Sequence, residues 1–192
     1  MSKVSIEGAG SYAHHYPKVA LIVTVHAGGK DNCMAVAWHT SISHTPPLYG
    51  VSIAPKRLTM EMILDSGEFG INFIPMEKAS LIASVGGFSG RKGDKFEKWS
   101  IGKEKPLKIS APVLKDAHAC YECRLVDHRT YGDHIWVVGE IVATHYDKEL
   151  FTSEQMMNFD RISPALYIGG ELYTTIAKDT PRHLDRKEYG SR

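Results

Sequence analysis

Arg57 and Thr59 stand two residues apart at the head of a segment, 59–67, that the sequence predicts to be a short helix. A helix start exposes backbone N–H groups without partners, at the positive end of the helix dipole. With Thr59 read as the N-cap and the Arg57 guanidinium beside it, the arrangement could bind a phosphate. An ordinary surface arginine next to an ordinary cap explains the same residues equally well. Thr40 and Ser41 close a preceding strand and could add hydroxyl donors. Arg91, Lys92 and Lys95, beside Ser89 and Gly90, could hold a second anionic group or form a solvated loop. His134 follows Gly132-Asp133 at a strand start, where an imidazole could deliver a proton near neutral pH or be a plain turn histidine. Trp38, Trp136 and Tyr173 could pack on a flat ring or simply fill core, and Asn32 and Asn72 could meet a polar ring edge.

Other chemistries lack their residues. Neither a Gly-x-x-x-x-Gly-Lys nor a Gly-x-Gly-x-x-Gly after a strand is present, so phosphate-loop and doubly wound nucleotide sites are unsupported. The ten histidines include no i,i+4 helical pair, and no metal site is expected. Cys120 and Cys123 form a Cys-x-x-Cys inside an apparent strand, where residues three apart face opposite sides of the sheet. A redox or metal role for that pair is therefore disfavoured.

The elements that must position these residues are mostly short strands. The β-branched run over 19–26, turn chemistry over 28–32 and a returning strand over 34–39 read as a hairpin. Further strands are predicted over 48–53, 68–74, 118–127 and 134–145, with a short extended piece over 111–114. A last bent strand covers 167–173 around Gly169-Gly170. Helices are predicted over 59–67, closed by Gly67, and over 77–85, closed by Gly86-Gly87, with a polar loop over 88–96. Many strands, few helices and no βαβ rhythm indicate a mainly β, closed or partly closed antiparallel barrel. The 192 residues, 43% hydrophobic, suit one domain with a polar tail from 178 to 192. The net charge of +1 asks for no nucleic-acid partner. Apolar runs are strand-sized, no signal peptide is seen, and three cysteines suit a reducing compartment, so the expectation is a cytoplasmic protein without membrane spans.

Taken in order, seven pieces resemble the flavin-reductase-like FMN-binding family, on the side of its flavoredoxin branch. They cover 17–24, 32–41, 46–53, 55–59, 67–72, 89–96 and Gly132-Asp133-His134, within a resemblance spanning about residues 15–175. The resemblance implies a split β-barrel of Greek-key topology and a homodimer binding FMN near the subunit interface, with FAD as the second option. It implies that Met34, Ala35, Val36, Ala37 and Trp38 line the isoalloxazine, that Ser52 and Ile53 border it, and that Asn32 and Asn72 lie close by. Thr40, Ser41, Arg57 and Thr59 would hold the ribityl-phosphate end. Ser89, Arg91, Lys92 and Lys95 would sit at the phosphate side or rim, and His134 near a nicotinamide.

The implied activity is NAD(P)H-dependent flavin reduction by hydride transfer from NADH or NADPH to flavin N5, the cofactor carrying the chemistry. The reductase branch carries an Asp-Arg-Phe-like motif where this chain has Asp94-Lys95-Phe96. That departure keeps open a flavoredoxin-like electron carrier with tightly bound FMN and a protein redox partner. The same barrel also hosts haem-binding and pyridoxamine-phosphate-oxidising relatives, and a binding protein without flavin is a third reading.

Overall fold

The computed structural model describes residues 2–185 and 187. The strands are β1 (Lys18–Val19), β2 (Leu21–Ala27), β3 (Lys30–Val36), β4 (His39–His44), β5 (Pro47–Ile53), β6 (Glu68–Phe73), β7 (Lys103–Glu104), β8 (Val113–Leu114), β9 (Ala119–Tyr131), β10 (His134–Tyr146), β11 (Leu166–Gly169) and β12 (Leu172–Thr174). The helices are α1 (Leu58–Ser66), α2 (Ala79–Gly87) and α3 (Lys95–Lys98), with short 3₁₀ turns at Met76–Lys78 and Lys148–Leu150. Seven strands form one antiparallel sheet in the order β3-β2-β6-β9-β10-β5-β4. The sheet must curl because its two end strands, β3 and β4, are joined by only Ala37 and Trp38, and Ser52 N–H donates to Trp38 O at 2.8 Å to continue the β4–β5 ladder into that link. The expected mainly β split barrel is what forms, with a few short helices.

Period-2 alternation sorts the side chains onto two faces. Leu21, Val23, Val25, Val51, Ile53, Phe69, Ile71, Cys123 and Val137 fill the interior. α1 adds Met60 and Ile63 to that core and so closes one end. The outer face of β2 and β3 carries Ile22 and Cys33, covered by Ile82 and Val85 of α2 and by Phe96 of α3. Elsewhere the outer face is polar and clamps the crossing segment 103–117. Thr24 Oγ1 donates to Pro112 O at 2.7 Å, and Asn72 Oδ1 accepts from Leu114 N at 2.9 Å. The carboxylate of fully buried Glu122 accepts from the N–H groups of Leu107, Lys108 and Ile109, and pairs with the His145 ring at 2.5 Å. Burial alone would raise the Glu122 pKa. The Leu107 N–H, the His145 ring and the Lys108 N–H hold it below the usual carboxylate value.

Several elements differ from the sequence expectation for physical reasons. Gly28 (φ 57°) and Gly29 (φ 72°) make a two-residue turn between Ala27 and Lys30, so β3 begins at Lys30, four residues earlier than expected. The strand expected over 34–39 stops at Val36, and β4 then runs through Ser41 to His44 as an exposed edge. The initial run splits at Ala20, whose N–H donates to Ala165 O. The second helix begins after a 3₁₀ turn, and Gly86-Gly87 belong to it. α3 lies in what was expected to be loop, because the Asp94 carboxylate caps Phe96 N and Glu97 N. Gly169-Gly170 sit at the turn of a β11–β12 hairpin where one bent strand was expected. Of the expected tail, residue 186 and residues 188–192 lie outside the described residues.

Cys123 faces the barrel interior opposite Phe69, and Cys120 sits opposite Asn72 on the outer face. Both are free, and burial pushes the Cys123 thiol up to about 12. Cys120 is also raised, again mainly by burial. The pair is inert packing, as the strand periodicity implied.

His118 is 4% exposed, tilted between the Phe73 and Phe151 rings, and its Nδ1 has no partner. Burial pushes its pKa down to about 4 from 6.5. A histidine kept neutral by the fold takes up its proton only in the unfolded chain. Stability is then full above pH ~6.5 and is lost as the pH falls toward 4, by up to about 3 kcal/mol. Denaturant unfolding measured across that window should show His118→Phe with a slope of stability against pH flatter by about 1.4 kcal/mol per unit. An unchanged slope would place the proton uptake elsewhere.

Candidate functional site

In the antiparallel β2–β3 pair, backbone groups of alternate β3 residues point toward β2 or away from it. Lys95 Nζ donates to Cys33 O at 2.7 Å from the side away from β2. Ala35, two residues on, therefore turns its N–H and C=O to the same free edge. Ala35 lines three contiguous cavities along that edge, with volumes of 190, 210 and 660 Å³. Together they make an elongated cleft whose floor is the backbone of 34–37.

One end of the cleft is built for an anion. The N-cap of α1 is Arg57 in extended conformation and makes no side-chain capping bond, so the first helical N–H groups keep no side-chain partner. Arg57, Lys56, Leu58, Thr59, Asn32, Ser89, Gly90 and Lys95 line this 190 Å³ end. Asn32 Nδ2 donates to Thr59 Oγ1 at 2.9 Å, fixing the hydroxyl there. Lys95 is 4% exposed; its Nζ bonds to Cys33 O and to Val85 O, each at 2.7 Å. Its third N–H has no acceptor among the described residues. Burial, reinforced by the nearby Arg57 charge, lowers its pKa from the usual lysine value. At Gly90 a Cβ would stand 2.3 Å from Asn32 Oδ1, so only glycine lets this loop approach the Asn32–Thr59 pair.

The other end is lined by rings. Trp38, His134, Tyr16 and Tyr167 surround a 210 Å³ space that Ser52, Ile53 and Ala54 border. The Trp38 and His134 rings lie 4.9 Å apart. His134 Nδ1 and the Asp133 carboxylate share a 2.7 Å hydrogen bond, which puts the ring proton on Nδ1 and leaves Nε2 as acceptor in the neutral ring. The His134 hydrogen bond holds the Asp133 carboxyl below its usual value. The third and largest space lies between Ala35–Ala37, Gly86 and Gly87 of α2, and Tyr167 and Tyr173.

Most of the expected residues meet here: Asn32, Met34, Ala35, Val36, Ala37, Trp38, Ser52, Ile53, Arg57, Thr59, Ser89, Lys95 and His134. Others go elsewhere. Thr59 is not the N-cap but the second helical residue, because Arg57 adopts the extended cap conformation. Thr40 and Ser41 are exposed on edge strand β4 and line none of these cavities; Thr40 Oγ1 donates to Ser41 O. Asn72 is fully buried, donating to Ile22 O and Thr24 Oγ1 while accepting from Leu114 N, and these bonds hold it on the outer face away from the cleft. Arg91 pairs with Glu61, and with Lys92 it lines a neighbouring depression that also contains Asp31, Asp94 and Glu97. Lys95 is held by carbonyls beneath the anion end, not on a solvated rim. Trp136 packs over Gly50, outside the cleft. The residues not anticipated from sequence include Tyr16, Tyr167, Ala54, Lys56 and Gly86. Only the last carried a signal, as half of a Gly-Gly helix stop. Among the described residues no group of three or more His, Cys, Asp or Glu is placed to hold a metal, and no helix is long and apolar enough to cross a membrane.

A cleft with a helix N-terminus, a buried ammonium and a glycine-only loop at one end, and flat side chains at the other, fits a planar phosphorylated cofactor. Residues 13–175 match the flavin reductase like domain. An uncharacterised protein of Pyrococcus abyssi is 34% identical over 137 residues, covering 71% of this chain and 78% of that protein. The structure of an FMN-binding protein from Thermus thermophilus with bound 1-cyclohex-2-enone is 30% identical, with a TM-score of 0.85 over 95% of this chain and 99% of that one. A flavoredoxin from Methanosarcina acetivorans shares the fold at 23% identity, with a TM-score of 0.85 over 98% of this chain and 99% of its own. With its family domain spanning most of its length and its cleft built as described, this chain belongs to the flavin reductase-like family.

Proposed function

We propose that the chain is an FMN-binding oxidoreductase whose cleft takes the phosphate at the α1 end and the ring system along the free edge of β3. The observation that carries the reading is the uncapped start of α1 facing buried Lys95 across a loop that tolerates only Gly90. The α1 amides, Arg57, Thr59 and Ser89 would supply phosphate donors, and Lys95 the charge beneath them. The Ala35 backbone would meet the polar edge of the ring as a neighbouring strand would. Bound FMN would supply hydride acceptance and one-electron transfer, which no side chain here performs.

The ring end stays open to a second molecule, and NADH or NADPH is the proposed reductant. His134 would face that molecule with an acceptor nitrogen, oriented by Asp133. The Thermus thermophilus FMN-binding protein is described with bound 1-cyclohex-2-enone, which supports a small ring compound as a second ligand of such a fold. A homodimer, with Thr40 and Ser41 free to serve a partner, is part of the proposal. The second reading is an electron carrier with a protein partner, which the Asp94-Lys95-Phe96 departure favours.

The visible spectrum of the purified protein, followed anaerobically as NADH and then NADPH are added, tests this. Flavin bands that bleach within seconds support the reductase, and bands that persist until dithionite is added favour the carrier. No bands and no uptake of FMN would contradict both. Arg57 is exposed, so Arg57→Ala should leave the melting temperature within about 2 °C while weakening FMN at least tenfold, the scale of one charge-assisted hydrogen bond. Isothermal titration beside a thermal melt checks both numbers.

A further inference from the structure

Tyr16 precedes the first strand, and its ring forms one wall of the 210 Å³ end of the cleft. Its position is fixed from three sides. The Tyr167 ring lies 6.0 Å from it, the His15 ring 5.0 Å from it, and Trp38 Nε1 donates to its hydroxyl oxygen at 3.1 Å. Tyr12 lies against the other part of the same wall, 5.7 Å from the Trp38 ring. Indole N–H can only donate, so the phenol is the acceptor in the Trp38 bond and keeps its own proton. That proton has no acceptor among the described residues, and Tyr16 lines a cavity. A phenol already accepting a hydrogen bond is also the better donor, because the two bonds polarise one another.

The two fixed polar groups at this end are therefore complementary. Tyr16 offers an O–H, and His134, with Nδ1 engaged by Asp133, presents Nε2, with Trp38 between them in contact with both. We infer that Tyr16 is the donor that selects the second substrate, a planar ring bearing a carbonyl or carboxamide oxygen. This deepens the proposed function and rests on the flavin reading. The shared chemistry is a flat π system with one oxygen acceptor. The carboxamide of a reduced nicotinamide and a conjugated ketone or aldehyde both carry it.

The test is equilibrium binding to the FMN-loaded protein, read as the perturbation of the flavin absorption bands. The probes are nicotinamide, cyclohex-2-enone and toluene, titrated into the unaltered chain and into Tyr16→Phe, which keeps the ring and removes only the hydroxyl. FMN affinity is measured on both. The expected result is a five- to tenfold weaker dissociation constant for an oxygen-bearing probe, about the worth of one hydrogen bond. Toluene and FMN affinities should stay within twofold. A loss confined to nicotinamide identifies the reductant as the molecule read by Tyr16, and one confined to cyclohexenone identifies an acceptor. Equal loss for toluene, loss of FMN affinity, or no change for either oxygen-bearing probe overturns the inference while leaving the flavin reading intact. Failure of the unaltered chain to bind FMN overturns both.

Discussion

A charged amine taken out of water must find full hydrogen bonding or lose its charge. Lys95 meets that constraint in part, giving two N–H groups to Cys33 O on β3 and Val85 O on α2 and keeping a third without an acceptor among the described residues, while its own backbone begins α3. Three elements are thereby tied at one point. β3 cannot pair with another strand there, because its outward carbonyl is already engaged by a side chain. α2 is held so close that a Cβ on Gly86 would stand 3.2 Å from the Ala35 Cβ. The loop over 88–94 must then pass beside Asn32, which is where Gly90 is required. The free strand edge, the small-residue floor and the anion end all follow from seating that one ammonium.

The opposite side of the sheet follows a different rule. Thr24 on β2 and Glu122 on β9 share one register row through Gly70 of β6, Asn72 stands two residues further along β6 on the same outer face, and each of the three bonds backbone groups of the segment over 103–117. These buried polar groups are satisfied by a crossing chain where the helices would otherwise leave the face bare. The barrel thus has an apolar interior, a helix-covered flank that bears the cleft, and a polar flank sealed by its own chain.

Much of this was legible in the sequence where local chemistry decided the outcome. Gly28-Gly29 announced the hairpin, β-branched alternation announced the long strands, and Gly67 in the left-handed region ended α1 as expected. β4 was invisible because His39-Thr40-Ser41-Ile42-Ser43-His44 has no apolar alternation to report an edge strand that buries little. Asn72 looked like a ligand of the cleft because an amide at a strand end has no local signal for which face it takes. Register with Cys120 and the crossing segment decides that. The sequence around Lys95 fits an anion-holding rim or a solvated loop but not a buried amine, since only the tertiary approach of β3 and α2 makes its burial tolerable. Tyr16 carried no pattern, its role arising from a bond to Trp38 across 22 residues.

The central claim is that the α1 start, Arg57 and Lys95 form a phosphate site that holds the cofactor by its charged end. The direct measurement is the ratio of affinities for FMN and riboflavin, which differ only in that phosphate, by fluorescence quenching in moderate salt. With two or more charge-assisted bonds at stake, the account predicts FMN bound at least about a hundredfold more tightly. Equal affinities would contradict it.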